Sequence, residues 1–195
     1  MKVNKETWFS SPVYYIDIGE KVNSTQLIKE CRAIEKADEG RLISNRGGYQ
    51  SNNITFDKQT ELDNLRIIIE SIAVDIFRDY GVKPEIRPTT DNAWLNINRY
   101  GDHNISHNHP GVAFSAVYYV KTHEGCGNFL IINDSMMNFF NATCTNVDTD
   151  MTYAQVTYEA TEGRLLLFPA YLNHLVEPNM TRKDRISIAF NLGRL

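Results

Sequence analysis

The sequence predicts an α+β fold that is mainly β, a sandwich or barrel with helices packed on one face. Three observations carry this expectation. Apolar residues recur at helical spacing in two segments of the first ninety residues, the period falls to two from Ala93 onward, and no helical pattern separates the later strands. A chain of 195 residues can bury one sizeable core but is short for two. Residues 1–195 are therefore read as a single domain, with a helical support region over 1–90 and a β core over 91–195.

The elements follow in order. A short strand is expected over residues 12–18. Ser24 is placed to cap a helix in which Leu27, Ile28, Cys31 and Ile34 form one apolar stripe that should pack on a sheet. A polar, glycine-containing segment covers 44–51. The second helix begins near Thr60 and carries Leu62, Leu65, Ile68, Ile69, Ile72, Ile76 and Phe77 on one face, with Gly81 and Pro84 ending it. The runs 94–100, 113–120, 129–132, 153–158, 164–168 and 185–191 are β-branched or aromatic and are separated by Gly, Asn, Asp and Pro, so each reads as a strand.

Composition narrows the function. Hydrophobic residues make up 42% of the chain and charged residues 23%, with a formal net charge of −4. That balance suits a globular protein and offers no broad attraction for a nucleic acid or an anionic membrane. No apolar run approaches the roughly 18 residues of a membrane span, and residues 1–19 lack the apolar core of a secretory signal. Cys31, Cys126 and Cys144 are too scattered for a disulfide framework or a CxxC site. Free thiols in a reducing cytoplasm are expected.

Histidine is the informative residue. Of five in the chain, His103, His107 and His109 fall within one seven-residue window. If His107-Asn108-His109 lies on a strand, the two imidazoles project to one face and aim at a single point, as a metal ion requires. His174, at the end of an apolar run that bends at Pro169, is the candidate third ligand. A solvated HxH pair is common, but HxH with a distant histidine and a following arginine is much rarer than any part. His103 and His123 read as surface or supporting residues.

Two branches of one superfold resemble this pattern. The glycine and histidine spacing at 101–109 and 163–174 is similar to the two cupin motifs, but the acid expected a few residues after HxH is missing. The order Tyr100-Gly101, the His107 pair, Tyr118-Tyr119-Val120, 125–130, 163–168, His174 and Arg185-Ile186-Ser187 resembles the prolyl-hydroxylase-like oxygenases dependent on 2-oxoglutarate and Fe(II). Arg185, eleven residues after His174, favours this branch. Extended to Arg46-Gly47-Gly48-Tyr49-Gln50-Ser51 and Trp94-Leu95-Asn96, the likeness spans nearly the whole chain and is to oxygenases of bacteria and their viruses.

The resemblance implies a double-stranded β-helix of the jelly-roll or cupin-like kind, one Fe(II) held by His107, His109 and His174, and 2-oxoglutarate as co-substrate with O2. Three protein ligands on one face leave positions for the co-substrate and O2. The distal carboxylate of 2-oxoglutarate needs a cation. Arg185 suits it, since a guanidinium meets a carboxylate through two parallel hydrogen bonds, and the alternation Arg185, Ser187, Ala189, Asn191 makes one polar face. Tyr119 is implied as a second donor to that carboxylate. Asn96 and Tyr100 alternate with Trp94 and Asn98 on another strand and are weaker candidates for the pocket.

One departure stands out: His109 occupies the place where the oxygenase pattern has Asp or Glu. Asp134 or Asp102 is the alternative source of a carboxylate ligand. The implied substrate is a prolyl or other peptide side chain, or a small molecule. A cupin-type metalloenzyme without 2-oxoglutarate and a non-catalytic jelly-roll binding protein are the competing readings. Residues 125–169, with Met136-Met137-Asn138-Phe139-Phe140 among them, could supply a lid or a homodimer contact.

Overall fold

The structure, a computed structural model, describes residues 9–134 and 152–193, together with 4, 6, 147 and 149. Met136 to Phe140 and Cys144 lie outside the described residues. In chain order the elements are β1 (Tyr14–Asp17), α1 (Ser24–Ala37), β2 (Asn45–Arg46), β3 (Tyr49–Gln50), α2 (Glu61–Asp79), β4 (Thr90–Asn98), β5 (His103–His107), β6 (Phe114–Lys121), β7 (Phe129–Ile132), β8 (Gln155–Tyr158), β9 (Arg164–Pro169), β10 (His174–Val176) and β11 (Arg185–Leu192), with one turn of 3-10 helix at Gly19–Lys21.

The strands form two antiparallel sheets. One has six strands in the order β1-β9-β6-β11-β4-β3 and the other five in the order β2-β5-β10-β7-β8. This is the mainly β jelly roll with helices on one sheet that the sequence implies. The first ninety residues do more than support it, because β1 and β3 extend the larger sheet and β2 borders the smaller one. β2 and β3 arise in the polar, glycine-containing segment 44–51. Each is two residues long, too short for alternation to register.

Both helices have the caps their first turns require. Asn23, not Ser24, caps α1, its side-chain oxygen accepting from the Gln26 N–H at 3.1 Å. Ser24 is already the first helical residue. Thr60 caps α2 by accepting from the Asp63 N–H at 3.1 Å. Glu30 of α1 accepts from the free N–H groups of Glu61 and Leu62 at 3.1 and 2.9 Å, so a carboxylate meets the positive end of α2 and ties the helices together.

Two cores result, one on each face of the six-stranded sheet. Leu27 and Cys31 of α1 and Leu65, Ile69 and Phe77 of α2 pack against Leu95, Ile97, Tyr118, Leu165, Leu167, Ile186, Ile188 and Phe190. The alternate residues Val117, Tyr119, Leu166 and Phe168 point the other way, towards Phe129, Ile131 and Val176 of the smaller sheet. A strand buried on both faces reads as a continuous apolar run, as in 165–168. Along β11 and β4 the inner face turns polar, with Ser115 of β6 beside them, and there the cavity lies.

The loop after β10 is held from both ends. Asn179, with no exposed surface, donates to the carbonyls of Asn98 and Lys183 and accepts from the Thr181 N–H. Its own carbonyl accepts from the Gly101 N–H at 2.7 Å. Gly127 lets the neighbouring loop approach, because at φ +87° a Cβ there would lie 2.2 Å from the Glu177 carbonyl oxygen. These contacts fix the point at which β11 starts, and so fix Arg185.

Candidate metal centre

His107, His109 and His174 meet in the cleft between the two sheets, each offering one ring nitrogen, and these nitrogens lie within 4.8 Å of one another. Among the described residues this is the one cluster of three or more histidine, cysteine or acidic side chains so arranged. His107 ends β5 and lies directly opposite His174 at the start of β10, with ring centroids 4.3 Å apart. His109 is not on the strand. It follows in a turn where its backbone N–H donates to the Ala170 carbonyl at 2.9 Å. HxH therefore converges through a strand end and a turn, not through strand alternation.

β5 and β10 carry two of the histidines, and neither is among the strands that the sequence predicts. Polar residues interrupt β5, and β10 spans three residues.

The hydrogen bonds prepare the rings as ligands. Nδ1 of His107 donates to the Ile105 carbonyl at 2.8 Å, and Nδ1 of His174 to the Leu172 carbonyl at 2.9 Å. With Nδ1 protonated, each Nε2 keeps its lone pair free for a cation. Nε2 of His109 and Nε2 of His174 are 3.3 Å apart. Two imidazoles bound at right angles to one ion at about 2.1 Å would have nitrogens roughly 3.0 Å apart, so the pair fits adjacent ligands.

The surroundings keep the rings neutral. Phe129 and Phe168 pack on His174 with centroid separations of 5.1 and 4.9 Å, and Trp94 lies 5.5 Å from His109. Burial pushes His174 down to about 3 and His109 down to about 4, with neighbouring imidazoles adding to the effect. Burial lowers His107 as well. Protons do not compete for these nitrogens at neutral pH.

Behind the triad a cavity runs along the inner face of β11 to Arg185, lined also by Asn96, Ser187 and Ala189. Arg185 is 2% exposed, and its Nε and Nη1 have no partner. Burial drives its pKa down, yet a guanidinium stays charged. The acids near it in sequence are engaged elsewhere. Asp184 pairs with Arg32 at 2.6 Å, and Glu177 accepts from the Asn128 N–H at 3.1 Å. Tyr119, with no exposed surface, lies with its ring centroid 5.9 Å from the guanidinium carbon. Its hydroxyl also has no partner, and burial pushes its pKa up to about 12. Two orphaned guanidinium donors at one end of a cavity fit a carboxylate, and the Tyr119 hydroxyl is a third orphaned donor on the ring beside them.

The other sequence candidates divide. Asn96 and Ser187 line the cavity. Tyr100 does not: β4 stops at Asn98, Gly101 turns the chain at φ +82°, and Tyr100 is 63% exposed. Asp102 accepts from the Arg99 N–H at 2.7 Å, and Asp134 accepts from the Asn173 side-chain amide. Neither joins the triad. His103 bonds the Gly101 carbonyl at 3.2 Å and His123 bonds Thr181.

Sequence reasoning passes over Ser44 and Asn104, which line the cavity and bond each other at 3.1 Å. It also passes over Asn179. Nothing local marks these residues, since each acquires its role from a strand distant in sequence.

Residues 92–191, just over half of the chain, match the model of the 2OG-Fe(II) oxygenase family. No curated protein matches the chain in sequence. Among solved structures, it is similar to a prolyl-4-hydroxylase from Pseudomonas putida, with 15% identity over 95% of this chain and 94% of that one and a TM-score of 0.65. It is also similar to a prolyl hydroxylase from Trichoplax adhaerens in complex with a hypoxia inducible factor peptide fragment, with 17% identity over 93% and 83% and a TM-score of 0.66. HygX from Streptomyces hygroscopicus, with nickel and 2-oxoglutarate bound, matches with 12% identity over 94% and 83% and a TM-score of 0.60. At such identities the likeness establishes the jelly-roll fold, and the family rests on the matched model. The chain belongs to the 2OG-Fe(II) oxygenase family, whose cofactor is Fe(II) and whose co-substrate is 2-oxoglutarate.

Proposed function

We propose that the protein is a hydroxylase that couples oxidation of a substrate C–H bond to oxidative decarboxylation of 2-oxoglutarate. One C–H bond, one O2 and one 2-oxoglutarate give one C–OH, one succinate and one CO2. One oxygen atom enters each oxidised product. His107, His109 and His174 would hold Fe(II), and Arg185 with Tyr119 would hold the distal carboxylate of 2-oxoglutarate. The observation that carries this reading is the buried Arg185 guanidinium, which has no counter-ion among the described residues and lies at the end of a cavity that begins at the triad.

Bound iron supplies the redox chemistry that activates O2 and cleaves the co-substrate. The chain supplies the rest. Arg185 and Tyr119 orient the co-substrate by its far end, since a guanidinium fork and a hydroxyl fix both position and rotation. Asn96 and Ser187 offer polar contacts along its length. Val117, Phe129, Phe168 and Val176 wall the cavity with apolar surface, which excludes water and strengthens each charge interaction inside. The two Nδ1 to carbonyl hydrogen bonds fix the tautomer and rotation of His107 and His174.

The substrate would be a peptide side chain, as the prolyl hydroxylase likeness suggests, or a small molecule. The buried free thiols Cys31 and Cys126 suit a reducing compartment such as the cytoplasm. A cupin-type enzyme working without 2-oxoglutarate would leave Arg185 and Tyr119 without a role. The test is anaerobic. Adding 2-oxoglutarate to the Fe(II)-loaded protein should raise a weak visible charge-transfer band, and succinate should form once O2 is admitted. Absence of both in protein that retains iron would refute the proposal.

A further inference from the structure

We propose that a second groove, on the far side of the triad from Arg185, holds the substrate, and that this substrate is a carboxylic acid of amino-acid size carrying N–H donors. The inference rests on the oxygenase reading and adds the substrate class to it. The groove has a volume of about 280 Å³ and is lined by His107, His109, Trp94, Asn92, Gln50 and Arg41 among others. It shares Ser44, Trp94, His107 and His109 with the Arg185 cavity, so both spaces border the same two histidines.

The strand register separates the two. On β4 and β11, Arg185 lies opposite Asn98, Ala189 opposite Trp94, and Asn191 opposite Asn92. Position 185 to position 191 is six residues, roughly 20 Å at about 3.3 Å per residue. The co-substrate end and the Asn92 end therefore lie in opposite directions from Trp94, whose ring is 5.5 Å from that of His109. A molecule on the Asn92 side would not compete with 2-oxoglutarate for Arg185.

The chemistry of the groove is specific. Among the described residues Arg41 is the one permanently charged side chain lining it, and no acid does. Its Nε is buried without an acceptor, while Nη2 makes a long hydrogen bond of 3.3 Å to Asn53. Asp38 feels its charge, but the Asp38 oxygens are occupied by the N–H of Gly40 and by the backbone and side-chain amides of Asn52, at 2.6–2.7 Å. A buried Nε–H without an acceptor calls for an anion.

Gln50, 3% exposed, and Asn92 each bury a side-chain oxygen without a donor. These atoms call for N–H groups on the ligand. Asn191 does not count here, since its oxygen accepts from Ser115 at 2.8 Å. Towards the triad, Trp94, Ile43 and Ile105 supply apolar surface, which suits an aliphatic portion. The volume lies below the roughly 300–1,000 Å³ of pockets for drug-sized ligands, which favours a compact molecule over an extended peptide.

The test uses protein loaded with Mn(II) and 2-oxoglutarate under nitrogen, titrated calorimetrically with the twenty free L-amino acids, with their C-terminal amides, and with dipeptides blocked at both ends. At least one free amino acid should bind, at least tenfold more tightly than its amide and than the blocked dipeptides. Arg41→Met and, separately, Asn92→Leu should each weaken that binding at least tenfold, with the melting temperature as the folding check. If no free amino acid binds, if an amide binds as well as its acid, or if both variants keep wild-type affinity, the proposal is overturned. Failure of 2-oxoglutarate itself to bind would instead overturn the oxygenase reading.

Discussion

Replacing Arg185 with methionine should stabilise the metal-free protein while removing its ability to hold the co-substrate. The guanidinium is 2% exposed and leaves Nε and Nη1 without acceptors. A buried charge without its partner costs several kcal/mol, and exchanging buried ionic groups for packed apolar ones of similar volume often gains about 1–4 kcal/mol. Methionine keeps the length of the aliphatic stem and removes the charge. For a chain of this size each kcal/mol moves Tm by about 2–4 °C, so the variant should melt several degrees above the wild type.

Metal and 2-oxoglutarate offset most or all of that gain. Ligand at a hundred times its Kd contributes about 2.7 kcal/mol, which the wild type should gain and the variant should not. Differential scanning calorimetry of both proteins, with and without Mn(II) and 2-oxoglutarate, gives the four melting temperatures required. A metal-free Arg185→Met protein that melts below the wild type would refute the argument, because it would mean that the guanidinium is already satisfied by the fold.

Further outcomes follow from other features. With three neutral imidazoles and no acid in the cluster, the site should hold Mn(II) weakly alone and about 5–150-fold more tightly with 2-oxoglutarate, the usual range of coupling between sites. Electron paramagnetic resonance titration measures the ratio, and His109→Asp should reduce it. Burial holds the folded pKa values of His174 and His109 below the ordinary 6.5. Their contribution to metal-free stability is present above pH 6.5 and is lost as pH falls towards 3–4. At pH 5 the loss for His174 is at most about 2 kcal/mol, and His174→Asn should flatten the dependence of Tm between pH 7.5 and 5. Gly127→Ala places a Cβ 2.2 Å from the Glu177 carbonyl at φ +87°, so it should cost at least about 2 kcal/mol in urea denaturation and weaken 2-oxoglutarate binding by loosening the loop ahead of β11.

The candidate site residues were legible in the sequence because their types are rare in such an order. His107, His109, His174 and Arg185 come together as their spacing implied, and the alternation along 185–191 placed Arg185 and Ser187 on the cavity face and Ile186, Ile188 and Phe190 in the core. Local propensity reads less well where elements are short. β5 and β10 exist because each pairs with neighbours in the sheet, not because three or five residues favour a strand alone. Tyr100 continues the alternation of β4 in the sequence, but the strand stops at Asn98, ahead of the turn at Gly101. Arg41, Gln50 and Asn92 come from separate segments and become neighbours only across the folded groove.

β11 lies between β6 and β4 at the centre of the larger sheet, with the helices under one face and the cavity over the other. A slip of one residue in its pairing would send the guanidinium among the helices and an isoleucine into the cavity. A shift of two would keep the faces but displace the charge by about 7 Å along the strand. Indels in the turn feeding this strand should therefore be purged together with loss of activity, whereas point changes on its cavity face leave the packing beneath untouched. Descendants of this chain would then acquire new ligand preferences through substitutions at alternate positions, and the length of the 177–184 connection would stay constant while they did.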